Sequence, residues 1–303
     1  MSISGALNNA ATGLSASARL ADTISNNVAN AMTPGFGRRV TELSSLSLGG
    51  YGSGVRVAGT ARTDNPFVTA ERRAMDAALG AAATASATYE RMNAALGEPG
   101  AAGALATRAT ALETRLMASV ASPQSLTQLT DAVSAARLLA QSVNAVSAEN
   151  TRLRTEADTE IARQVGAVND ALHAVSDVNA RINTLRLKGE DISALQDERD
   201  RLVDGVSAII PVRAVKREGD QIALYSANGA ALLDGRVWEL SFTQGPSVIT
   251  PGMSLGAPLG GLMQDQGAAG GPVAIAAGIG TGPMDGGSLG ALFAARDVTV
   301  PEF

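Results

Sequence analysis

The stretch Ile24-Ser25-Asn26-Asn27-Val28-Ala29-Asn30-Ala31-Met32-Thr33-Pro34-Gly35-Phe36-Gly37-Arg38 decides how the rest of this 303-residue chain is read. It is a helix end followed by a sharp turn. Asn26, Asn27 and Asn30 are poor interior helix formers, and Asn tolerates the left-handed backbone that closes a helix. Proline biases Thr33 away from helix, and Pro34-Gly35 suits the two central positions of a type II turn. Upstream, Ile3, Leu7, Ala10, Leu14, Ser17, Ala21, Ile24 and Val28 recur in steps of four and three, one seam of a helix. The opposite face, with Ser4, Asn8, Thr12, Ser15, Arg19 and Asp22, is small or polar. A helix of about 27 residues would be about 40 Å long and, with so much Ser and Asn, needs a partner to be stable.

Downstream, residues 36–65 read as an extended, turn-rich connector, with Gly49, Gly50, Gly52 and Gly54 around Tyr51 and a short alternation at Val55-Arg56-Val57. Helical periodicity returns at Pro66 and runs to Gly97-Glu98-Pro99-Gly100, and another helix carries Leu105, Ala109, Leu112 and Leu116. Ser122-Pro123 reads as a helix start, serine as cap and proline at the first position. The next helix runs to about Leu187 on a seam of Leu129, Val133, Ala136, Ala140 and Val143. The seam slips through Val146 and Leu153 and resumes at Ala157, Ile161, Val168, Val175, Val178, Ile182 and Leu185. Its length of roughly 95 Å means a rod, folded as an intrachain bundle because the breaks suit antiparallel neighbours. Lys188-Gly189 closes it, and Ser193 with Gln196 is a capping-box pattern for a last bundle helix ending before Pro211.

From Val212 the pattern becomes short and alternating, with Asn228-Gly229 and Asp234-Gly235 as hairpin turns. Residues 245–288 are rich in glycine and proline, and a short helix runs from Leu289 to about Asp297. The expected fold is mainly α: an N-terminal coiled-coil helix (1–35), the connector (36–65), an elongated helical bundle (66–211), and a small β-hairpin region with a short final helix (212–303).

Composition narrows the function. Net charge is −5, and Lys188 and Lys216 are the only lysines, which argues against nucleic acid and membrane surfaces as partners. There is no cysteine and a single histidine, His173, so thiol chemistry is excluded and a multi-histidine metal site cannot be built. No basic and apolar leader opens the chain, and no apolar run approaches the ~18 residues of a membrane span. Gly49–Gly54 and Gly278–Gly282 lack the strand, helix and Lys-Ser/Thr context of a phosphate loop. Asp197, Glu198 and Asp200 could be paired glycosidase-like carboxylates, but Arg199 and Arg201 are interleaved and solvated salt-bridging is the better reading. No cofactor and no catalytic residue is expected.

The opening motif resembles the N-terminal signature shared by the rod, hook and hook-associated proteins of the bacterial flagellar axis. It has the heptad helix, paired asparagines, a third asparagine, Thr-Pro-Gly, an aromatic and an arginine in that order. The long helices of residues 70–190, the segment Ala194-Leu195-Gln196-Asp197-Glu198-Arg199-Asp200-Arg201-Leu202-Val203 and Gly286–Asp297 are similar to the hook-associated members. The resemblance implies a non-enzymatic subunit at the junction of hook and filament. It would be extracellular and exported through the flagellar type III apparatus without a cleaved signal. Its implied partners are further copies in a helical assembly, the hook protein, the other junction protein and an export chaperone. Ile3, Leu7, Leu14, Ile24 and Val28 would form the inter-subunit seam. Asn26, Asn27, Asn30, Pro34, Gly35, Phe36 and Arg38 would set the bend and packing at the helix end. The alternatives are a hook or distal rod subunit, a cytoplasmic coiled-coil scaffold, and a flagellar hydrolase. Family members end in a long C-terminal heptad helix that pairs with the N-terminal one. This chain ends at Phe303 without it, so residues 1–30 are expected to be mobile or packed on a neighbour, and polymerisation to be impaired.

Overall fold

The computed structural model describes residues 3–48, 51–256, 258–267, 271–278 and 282–303. Gly49, Gly50 and Gly280 of the glycine-rich stretches lie outside the described residues. The chain opens with helix α1 (Ile3–Ala29). The Thr33-Pro34-Gly35-Phe36 turn forms as its residue types require: Phe36 N donates to Thr33 O at 3.1 Å, and Gly35 takes φ 79°.

The segment read as a connector is more ordered than expected. Strands β1 (Arg39–Leu48) and β2 (Tyr51–Arg62) form an antiparallel hairpin. Register shifts at Glu42/Leu43 and at Ser45/Ser47 break the strict alternation that a sequence reading relies on. The hairpin packs on α1. It covers the side next to the one read as small and polar: Ala16 is buried and Asn9, Thr12, Leu20, Thr23 and Asn27 are half-buried, whereas Asn8, Ser15, Arg19 and Asp22 stay exposed. Thr23 and Thr41 share a hydroxyl hydrogen bond of 2.7 Å, and Val55 N donates to Thr12 Oγ1 at 3.3 Å. We call α1 and this hairpin the arm.

The bundle begins with α2 (Pro66–Leu96), capped by Asn65, whose Oδ1 accepts from Phe67 N at 3.1 Å. α3 (Leu105–Ala121) and α4 (Leu126–Leu187) follow, α4 being one helix of 62 residues. The Ser122-Pro123 restart is shifted: Ser122 closes α3, and Ser125 caps α4 by accepting from Gln128 N. α5 (Ser193–Ile209) starts without the expected capping box. Asp191 Oδ1 takes the Ser193 N–H at 2.9 Å, and Gln196 Nε2 turns away to Asp220. A carboxylate two residues earlier serves the helix start in place of the Ser193 hydroxyl.

The main core lies at the C-terminal half of α4. Ile161, Val165, Val168, Leu172 and Val175 pack against Val203, Val206 and Ile210 of the α5 segment and against Leu224, Leu232, Leu240, Met284, Leu289 and Phe293. The seam read over 161–182 is therefore internal. Its N-terminal half is not: Leu129, Val133 and Val143 are exposed, while α3 packs one step round the helix, where Ala132 is buried.

The β region contains β3 (Val212–Lys216), β4 (Ile222–Ser226) and β5 (Ala231–Leu233) in one antiparallel sheet, with Asn228-Gly229 at the β4–β5 turn. A second sheet orders β10 (Val273–Ile275), β9 (Leu262–Gln264) and β6 (Leu240–Phe242). A short parallel pair joins β7 (Ser254–Leu255) to β8 (Pro258–Leu259). α6 (Gly287–Ala294) closes the fold through a π-helical stretch at 295–299. Polar ties hold the glycine-rich segment to α4. Arg154 donates to the carbonyls of Arg296, Thr250 and Met253 at 2.7–2.9 Å. The fully buried Arg296 pairs with Asp158 at 2.6 Å. Burial disfavours the charge of Arg154 and holds its pKa below the usual guanidinium value.

Candidate assembly interface

The heptad stripe of α1 faces away from the hairpin. Ile3 is 90 %, Leu7 72 %, Leu14 74 %, Ile24 61 % and Val28 72 % exposed. A helical step of 100° sets the two faces apart, so the hairpin takes the Thr12–Ala16–Thr23 side and leaves the apolar side in water. Residues 1–30 were expected to be mobile or packed on a neighbour; the stripe is indeed uncovered within the chain, but the helix has an intrachain partner on another side. That partner is seated where polar side chains bond to strands. Five large apolar side chains aligned along one helix face are an uncovered surface of the kind that marks association.

At the C-terminal end of this stripe the signature residues have separable tasks. Asn27 Nδ2 donates to Arg39 O at 2.8 Å and Asn27 Oδ1 accepts from Arg39 N at 2.9 Å, so one side chain pairs with the first strand residue as another strand would. Asn30 Nδ2 donates to Asn26 O at 3.0 Å, a local closure of the helix end, and Asn26 is exposed. Pro34 is exposed in the turn, and Gly35 lies against α5, where a Cβ would come 2.2 Å from Arg201 Cγ. The Phe36 ring lies beneath the Arg39 guanidinium, 5.2 Å from centroid to Cζ. Arg38 is exposed, and its neighbour Arg39 carries the contacts.

Of the acidic cluster read on α5, Glu198 stays at the surface, 3.9 Å from Arg181, whereas Asp197 and Asp200 are drawn into inter-element ion pairs. Asp197, 8 % exposed, accepts from Gly37 N at 2.9 Å, Arg62 Nε at 2.8 Å and Arg39 Nη2 at 3.3 Å. Asp200 pairs with Arg62 at 2.6 Å and with Arg73 at 3.0 Å, and Asp204 pairs with Arg73 and Arg72, each at 2.7 Å. The interleaved arginines are not the partners. Arg199 turns inward to Asn179 and the Asp220 carbonyl, where desolvation lowers its pKa. Positions 197, 200 and 204 share one helix face, and arginines from the arm and from α2 reach it across space. Arg39, Arg62 and Gly37 were invisible as site residues, because nothing local separates them from Arg38 or from any other surface arginine. His173 sits at the surface with Nε2 2.9 Å from Glu239. Among the described residues no cluster of His, Asp or Glu could hold a metal ion, and no helix is long and apolar enough to cross a membrane.

With this geometry in hand, comparison with known proteins is informative. The model of the flagellar hook-associated protein FlgK helical domain matches residues 89–303. The chain belongs to the FlgK helical-domain family. The flagella basal body rod protein model matches residues 7–36, the α1 stripe and turn. Flagellar hook-associated protein 1 of Escherichia coli K12 is 28% identical over 248 residues, covering 77% of this chain and 44% of that protein. The Bacillus subtilis 168 protein of the same name is 25% identical over 268 residues, covering 78% and 51%. The chain thus spans about half the length of the curated relatives it matches. The flagellar hook junction protein FlgK of Burkholderia pseudomallei shares the fold, with a TM-score of 0.59 at 22% identity over 76% of this chain and 39% of that one. The rod-type match ends at Phe36, one residue before Gly37, whose N–H donates to Asp197 of α5.

Proposed function

We propose that this chain is a structural subunit of the bacterial flagellar axis at the junction between hook and filament, assembling through the outward stripe of α1. The observation that carries the reading is the orientation of α1. The hairpin occupies the Thr12–Ala16–Thr23 side, and Ile3, Leu7, Leu14, Ile24 and Val28 are exposed away from it. Packing the same stripe against a neighbour's different surface is an open contact, and open contacts build helical assemblies. Support for the junction, as against the rod or hook, comes from the match to the hook-associated helical domain over residues 89–303. In this reading the chain performs no reaction and needs no cofactor. The hook protein and the other junction protein are its neighbours, an export chaperone is its partner before assembly, and it acts outside the cell. The 1–35, 36–65, 66–211 and 212–303 divisions correspond in it to inner core, connector, bundle and outer β region.

Immunogold electron microscopy of flagella carrying an epitope tag after Gly100, in the α2–α3 turn, tests the proposal. Gold in a narrow band where hook meets filament is expected. Gold along the hook or rod, or only inside the cell, would replace the junction by a hook subunit, a rod subunit or a cytoplasmic scaffold.

A further inference from the structure

Strands β1 and β2 begin and end on a pair of like charges. Arg39 and Arg62 are direct cross-strand partners at the open end of the hairpin. Two guanidinium groups facing one another across a strand pair destabilise it. Here the Asp197 carboxylate stands between them, taking Arg62 Nε on one oxygen and Arg39 Nη2 on the other. The first oxygen also accepts the Gly37 N–H from the end of the signature turn. One side chain of the bundle thus collects a donor from the turn, from the start of β1 and from the end of β2.

Nothing apolar duplicates this joint. Among the described residues, the buried apolar clusters contain none from α1, β1 or β2. Among the three arm elements, β2 makes the principal contact with the bundle, and it makes it with α5. Backbone is pared away where the joint closes, since a Cβ on Gly37 would come 2.0 Å from Arg62 Nε and push that guanidinium off Asp197.

We infer that Asp197 is a positioning residue that fixes the direction in which the arm leaves the bundle. α1 and its hairpin form one body through hydroxyl, amide and strand contacts, and the bundle forms another around its apolar core. Asp197 joins both strands of the arm to the bundle by charge, and Asp200 adds a second ion pair to Arg62 alone. Removing the Asp197 charge leaves Arg39 with no carboxylate and Arg62 with Asp200 alone, so β1 loses its tie to the bundle and the arm its fixed bearing while both bodies keep their folds. The inference goes beyond the junction reading and is a property of the isolated chain. It rests on that reading only for its consequence, that a stripe must be presented in a set direction to assemble.

The absence of native cysteine makes the test direct. Spin labels on Ala18→Cys in α1 and Ala180→Cys in α4, both exposed positions, report the arm's bearing by pulsed electron paramagnetic resonance. The parent chain should give one narrow distance peak. Asp197→Asn should lose that peak for a broad distribution while its circular dichroism melting stays that of a folded bundle. Asp204→Asn, which removes a carboxylate paired only with α2 arginines, should weaken α5 packing yet keep the narrow peak. A narrow peak in Asp197→Asn, or equal broadening in Asp204→Asn, overturns the inference. Should Asp197→Asn fail to fold, Arg62→Gln probes the same joint from the arm side, and a narrow peak there overturns it equally. Because no assembly is measured, failure here is separate from failure of the junction assignment.

Discussion

The Asn27 side chain and the Arg39 backbone exchange two hydrogen bonds, 2.8 Å from Nδ2 to the carbonyl and 2.9 Å from the amide to Oδ1. The last turn of α1 is thereby tied to the first residue of β1. Asn27→Ala removes both bonds at a half-buried site and should cost about 1–3 kcal/mol of arm stability. Hydrogen exchange checks this. The Arg39 amide should lose protection while amides in α4 and α5 keep theirs, and unchanged protection at Arg39 would show that the strand pairing alone holds it.

The outward stripe makes the opposite kind of prediction. Leu7 and Leu14 are exposed, so Leu7→Asp and Leu14→Asp remove no buried contact within the chain and should change its stability by no more than about 0.5 kcal/mol. They should abolish incorporation into flagella. Normal filaments from both variants, or a large fall in melting temperature, would mean that the stripe is not the assembly seam.

Gly35 is held by conformation and by contact together. Its φ of 79° disfavours any side chain, at roughly 1–2 kcal/mol, and a Cβ there meets Arg201 Cγ at 2.2 Å. Gly100 has a similar φ of 86° with open space around it. Chemical denaturation should therefore find Gly35→Ala more destabilising than Gly100→Ala. Equal effects would show that Arg201 gives way freely.

The buried ion pair at the far end of the fold gives the largest stability effect. Arg296→Met strands Asp158, 2 % exposed at its side chain, without its cation and should cost about 3–5 kcal/mol. Adding Asp158→Leu should recover part of that loss, since a missing pair is cheaper than a lone buried charge. A double variant as unstable as the single one would place the effect in the other Arg296 contacts, to the Gly260 carbonyl and to Asp297, and not in the pair with Asp158.

Much of the architecture was legible from residue order. The α1 seam, the Pro34-Gly35 turn, the end of α2 at Gly97, the long α4 and the Asn228-Gly229 hairpin all follow from spacing and backbone preference within a few residues. The misses have a common cause. Strands β1 and β2 were hidden by irregular register and by Ser, Thr and Gly, whose ladder depends on a helix face lying beneath it. The Ser193–Gln196 pattern was locally complete, but Gln196 found Asp220 across space. The seam at Leu129, Val133 and Val143 has the right period and still faces outward, because α3 settles on the adjacent face.

The sequence by itself determined that α1 has an apolar stripe, that the chain turns sharply after it, and that α5 opens on acids interleaved with arginines. Periodicity and turn chemistry are properties of neighbouring residues, so they can be read in order. The tertiary structure alone decided that the hairpin covers the Thr12–Ala16–Thr23 side of α1 and that Asp197 joins Arg39 to Arg62. Those choices depend on which groups come within about 3 Å of one another after the chain has folded, and a charge carries no mark of the partner it will meet.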